Sequence, residues 1–96
     1  MIINIDNFNT SKVKNMGSMF SSCSSLIYVN VSSFNTSNVE NMSFMFKNCT
    51  SLINLNLTNF DFTKAYKRYC MFSNCQKSLA TLVMAQNNMI EKYQFH

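Results

Sequence analysis

Proline is absent from this 96-residue chain, and glycine occurs once, at Gly17. Turns therefore fall to Asn, Asp and Ser, the other residues that best tolerate turn geometry. Charge is scarce, at 12% of residues. The four acids, Asp6, Glu40, Asp61 and Glu91, are well separated in sequence, so no close carboxylate pair is offered for acid–base work. The single histidine is His96, and there is no Cys-x-x-Cys spacing and no Gly-rich phosphate loop. The expectation is a chain that is not an enzyme, with no catalytic, cofactor-binding or metal-ligating residues. No run approaches the roughly 18 apolar residues that span a bilayer. Met1-Ile2-Ile3-Asn4-Ile5-Asp6 has neither the basic start nor the long apolar stretch of a secretory signal. A net charge of +4 is mild for a nucleic-acid binder. Lys64-Ala65-Tyr66-Lys67-Arg68-Tyr69 does interleave basic and aromatic residues, as single-strand binders do. We read it as a solvated face with Tyr66 and Tyr69 covering the end of the core. Neither a nucleic-acid partner nor membrane insertion is expected.

What the chain does have is apolar residues, at 47%, in a background of Asn, Ser and Thr. That composition folds, and the length suits one small domain. The strongest signal is an internal repeat of 26 residues. Ile3, Val29 and Leu55 fall in one column, and Ile5, Val31 and Leu57 in another. Phe8, Phe34 and Phe60 keep the same spacing, as do Val13, Val39 and Ala65. Met19-Phe20, Met45-Phe46 and Met71-Phe72 recur as dipeptides, and Cys23, Cys49 and Cys75 close the series. The period-two alternation Val29-x-Val31 and Leu55-x-Leu57 predicts a half-buried strand in each copy. Val39, Met42, Phe46 and Cys49, spaced 3, 4 and 3, predict a short amphipathic helix after it. Ser37 through Glu40 has the form of a capping box at that helix's start.

The expected fold is an α/β repeat solenoid: a leucine-rich-repeat-like right-handed stack of strand–corner–short helix units with a parallel sheet, about 26 residues per coil. It forms one domain over 1–96, with repeats at 1–26, 27–52 and 53–78 and a degenerate coil or cap at 79–96. In the tail, Leu82 and Met84 could supply a fourth strand, whereas Leu79, Leu82, Val83, Gln86 and Ile90 would lie along a helix. At the other end the Ile3–Ile5 strand edge is open. It belongs either to a longer parent chain or to a self-association surface. The cysteines are read as buried free thiols, with Cys70 and Cys75 the pair to suspect if any disulfide forms.

The run from Phe34-Asn35-Thr36-Ser37-Asn38-Val39-Glu40-Asn41-Met42 through Met45-Phe46-x-x-Cys49-Thr50-Ser51-Leu52 closely resembles the BspA-like leucine-rich-repeat surface proteins, in the variant abundant in mycoplasma lipoproteins. Phe8 to Leu26 matches almost as well. The resemblance implies a non-catalytic module at the cell surface or secreted, acting in adhesion, host interaction or display on a protein or glycan of a host or neighbouring cell. The expected interaction face is the outward side of the strands: Asn4, Asp6, Tyr28, Asn30, Ser32, Asn54, Asn56 and Thr58. Its asparagines could also hydrogen-bond to one another as a ladder. Four strands would make a strip of only roughly 240 Å², against about 800 Å² per side in stable protein interfaces. Binding would then need several copies, self-association or a small ligand such as a short glycan. The alternative function is a structural spacer, or a self-assembling unit pairing through its open N-terminal strand edge.

Overall fold

The computed structural model describes residues 1–5 and 9–96, with Asn4 as backbone only. Asp6 and Phe8 lie outside the described residues. β1 (Ile2–Asn4) and β2 (Tyr28–Asn30) pair in parallel, with Ile2 opposite Tyr28, Ile3 opposite Val29 and Asn4 opposite Asn30. Among the described residues, the third copy extends this sheet by a single bridge, Asn54 to Tyr28, and a second bridge joins Lys67 to Asn41. The α-helix α1 spans Lys77–Gln86, and a 3-10 turn spans Lys92–Phe95.

The expected leucine-rich-repeat-like solenoid is thereby corrected. Among the described residues, the sheet has two strands of three residues, and the sole α-helix starts at the end of the third copy. With a radius of gyration of 12.0 Å and extents of 30 × 27 × 21 Å, the molecule has the size of an ordinary small globule. The predicted Val39–Cys49 helix is a run of turns. The reason lies in the backbone hydrogen bonds. An α-helix sends each amide back four residues. Here the amides of Met42, Phe44, Phe46 and Asn48 point sideways instead, to the carbonyls of Lys67, Tyr69, Met71 and Ser73, at 2.7–2.9 Å. The first copy does the same, from Met16, Ser18, Phe20 and Ser22 to Asn41, Ser43, Met45 and Lys47. Intervening amides such as Met45 and Lys47 close three-residue turns. Left-handed φ values at Ser18, Ser22, Phe44, Asn48, Cys70 and Asn74 interrupt any helix at matching places in each copy. The Ser37–Glu40 capping box does not form either. The Glu40 amide donates to the Lys14 carbonyl, and the Ser37 hydroxyl donates to Asn35 Oδ1.

The core nevertheless collects the predicted columns. Val29, Leu55, Val31, Leu57, Val39, Met42, Phe46 and Cys49 are all buried. Phe20, Phe46 and Phe72 stack with centroids 5.4 and 5.6 Å apart, within the range of favourable aromatic pairs. Phe34 and Phe60 stack at 6.5 Å. Phe95, from the 3-10 turn, continues the first column onto Phe72 at 4.8 Å. Beside it, Gln94 accepts the Phe72 amide at 2.8 Å.

The fourth strand suggested by Leu82 and Met84 is replaced by α1, which buries Leu79 and Val83. One side chain on α1 takes over a strand's pairing role. Gln86 accepts the Leu57 amide at 2.9 Å and donates to the Leu55 carbonyl at 3.0 Å. Tyr66 and Tyr69 do not cover the core end, for both are exposed. Arg68, in the Met16 and Met42 column, lays its guanidinium 5.8 Å from the Phe62 ring centroid.

Candidate interaction face

Strand alternation sets the face. Val29, Val31, Leu55 and Leu57 point into the core, leaving Tyr28 and Asn30 half-buried and Ser32, Asn54, Asn56 and Thr58 exposed. The sheet register and the single bridge put Ile2, Tyr28 and Asn54 in one row. Asn30 lies opposite the Asn4 backbone in the next row. Two expected members cannot be placed on this face, because the Asn4 side chain and Asp6 lie outside the described residues.

The asparagines are engaged along their own chain. Asn56 Oδ1 accepts both the amide and the hydroxyl of Thr58, at 3.0 and 2.8 Å. Asn30 Oδ1 accepts the Ser32 amide at 3.0 Å. These are Asx turns, in which the side chain imitates a backbone carbonyl. They hold the end of each strand segment and fix the direction of the Asn carboxamide. Next to Thr58, a cleft of about 480 Å³ opens between Phe60 and Asp61 on one side and Gln86 to Met89 on the other. Hydrogen bonds from the Thr63 hydroxyl and amide hold the exposed Asp61 carboxyl below its ordinary range, so it stays anionic there at neutral pH.

The thiols lie on the core side. Cys49 Sγ donates to the Phe20 carbonyl and Cys75 Sγ to the Phe46 carbonyl, each at 3.1 Å. Burial pushes the Cys49 thiol up to about 12 and the Cys75 thiol up to about 11. Both remain protonated at neutral pH and are poor nucleophiles or metal ligands. Cys23, Cys49, Cys70 and Cys75 are all free.

The family described as "Mycoplasma protein of unknown function, DUF285" matches residues 2–89. The chain belongs to this family. No curated protein and no solved structure matches. In this DUF285 chain the match covers the three copies and α1 together.

The structure also adds residues that sequence reasoning missed. Ile2 is 71% exposed, Ile27 42% and Ile53 55%, all beside Tyr28 and Asn54. Met1, Ile27 and Ile53 sit next to one another, because the Ile27 amide donates to the Met1 carbonyl and the Ile53 amide to the Ile27 carbonyl. Their 26-residue spacing was present in the sequence. It was obscured because each isoleucine follows a buried leucine, Leu26 or Leu52, and reads as more core.

Proposed function

We propose that the chain is a non-catalytic recognition module at a mycoplasma cell surface, binding a glycan or small protein epitope of a host or neighbouring cell. The observation that carries this reading is the exposed row of Met1, Ile27 and Ile53, with exposed Ile2 in the next row, beside Tyr28, Asn54 and the turn-fixed pair Asn56 and Thr58. Contiguous exposed apolar side chains rimmed by polar groups are the usual mark of a contact surface. The family match and the resemblance to BspA-like surface proteins support the location. Size favours a small ligand. With α1 in place of a fourth strand, the face is narrower than the roughly 240 Å² expected, well short of a standard protein interface. The cleft beside Thr58, with Asp61, Asn88 and Phe60 on its walls, has hydrogen-bonding groups and volume suited to one or two sugar rings. Tight attachment then comes from many copies displayed together.

The test is binding of a multivalent, bead-displayed chain to a glycan array and to cultured epithelial cells. Saturable binding lost in Tyr28→Ala and Ile53→Asp, with unchanged folding by circular dichroism, is the expected result. No binding, or binding indifferent to both substitutions, would sink the reading.

A further inference from the structure

The lateral ladder gathers charge that the sequence keeps apart. Lys12 and Lys14 belong to the first copy, and Lys64, Lys67 and Arg68 to the third. Hydrogen bonds place them on one side of the molecule. The Glu40 amide donates to the Lys14 carbonyl at 2.7 Å, and the Lys67 amide to the Glu40 carbonyl at 3.1 Å. Lys14, Glu40 and the pair Tyr66 and Lys67 thus occupy successive rungs. Asn38 ties the neighbouring row together: its carboxamide donates to the Ser11 carbonyl at 2.7 Å and accepts from the Lys64 ammonium at 3.0 Å. Lys12, Lys14, Lys64 and Lys67 are exposed. Glu40, in the middle copy, is exposed as well, so this surface faces sideways and does not depend on either end of the ladder. Five of the eight cations meet here, against two acids, Glu40 and the Asp61 beside Lys64. Aromatic rings stand among them. Tyr66 is 68% exposed, Tyr69 55% and Tyr93 43%. The Lys67 ammonium lies 5.8 Å from the Tyr66 ring centroid, and Arg68 Nε donates to the Tyr93 hydroxyl at 3.1 Å.

We propose that this surface binds single-stranded nucleic acid. Charge complementarity calls for a polyanion, and the tyrosines select among polyanions. A single strand brings phosphates to the lysines and leaves its base faces free to stack on Tyr66 and Tyr69, the combination that sequence-tolerant single-strand binders use. A duplex keeps those faces between its own base pairs, and a sulfated polysaccharide has none. The exposed side chains between the lysines are tyrosine and asparagine, Tyr66, Tyr69 and Asn15, and not the aliphatic chains that enter a lipid surface. A net charge of +4 is mild when spread over the whole chain, but an excess of cations on one side acts as a local field. Within a single copy only part of that field is visible, because Lys12 and Lys14 reach Lys64 and Lys67 through the ladder alone. Glu40 opposes the field at its centre. None of these residues belongs to the Tyr28 face, and the site does not depend on the glycan reading.

The probe is a fluorescein-labelled oligothymidylate of about ten nucleotides, titrated by fluorescence anisotropy, with the fold of each variant checked by circular dichroism. Saturable binding that weakens as salt rises is expected. Tyr66→Ala, at an exposed position, should weaken it about ten-fold. Lys67→Gln should reduce the slope of log K against log salt by about 0.7. Glu40→Gln, which removes the central acid, should tighten binding about three-fold, a gain that a damaged fold would not produce. No saturable binding at low salt overturns the proposal. So does equal affinity for a duplex of the same length, or binding indifferent to Tyr66→Ala. Binding to heparin alone, or to phosphatidylserine vesicles alone, also overturns it and makes a sulfated polysaccharide or a lipid surface the occupant.

Discussion

At the residue scale, the chain solves the lack of glycine and proline with asparagine. Asn9 and Asn35 each accept both the amide and the hydroxyl of the serine two residues on, and Asp61 accepts the amide of Thr63 in the same column. Asn15 and Asn41 accept the amides of Gly17 and Ser43. The many Asn-x-Ser/Thr triplets are thus turn chemistry: the hydroxyl residue sits where the Asn oxygen can reach it. Asn35→Asp should be nearly neutral, since Asp61 performs the same task, whereas Asn35→Leu should cost about 1 kcal/mol in urea denaturation. The thiols give a pH signature. Cys49 titrates at about 12 in the folded chain against 9.0 for an ordinary thiol. Above pH 9 the unfolded chain loses its proton first, so the native state binds more protons and stability falls as pH rises from 9 toward 12. Cys75, at about 11, adds to the fall over a shorter range. The urea midpoint should drop between about pH 8 and about pH 10.5, and less steeply in Cys49→Ala. An equal slope in that variant would discount the burial of this thiol.

At the element scale, the 26-residue register was legible because side-chain columns mark which positions are buried, and burial is what the columns reported. The element types were less legible. Val39, Met42, Phe46 and Cys49 satisfy a helical stripe, but a chain of three-residue turns buries the same positions. The discriminating signs were local. Asn48 and Asn74 stand at left-handed positions that asparagine tolerates. Burial of Ser43 and Met45 together with Met42 and Phe46 is also too broad for one narrow stripe. The polar face of strand residues was readable from alternation, but the isoleucine row was not, because composition cannot say which apolar residue lacks a neighbour. In the tail, α1 wins over a fourth strand because the Gln86 carboxamide supplies both hydrogen bonds that a strand would have made to Leu55 and Leu57. Gln86→Leu would leave a buried donor and acceptor unpaired and should cost about 1–3 kcal/mol. Gln86→Glu, which keeps only the acceptor, should fall between it and the wild type. Equal stability for all three would mean that packing of Leu79 and Val83 alone holds α1.

At the scale of the whole molecule, one lateral ladder organises the core. It aligns the Phe20, Phe46 and Phe72 rings, and Phe95 carries that column to its far end. The most direct test is the measurement of NMR scalar couplings across hydrogen bonds, which report donor and acceptor by residue. The ladder predicts couplings from the Phe20 amide to the Met45 carbonyl, from Phe44 to Tyr69 and from Phe46 to Met71. Couplings from Phe46 back to Met42, the helical partner four residues earlier, would contradict it.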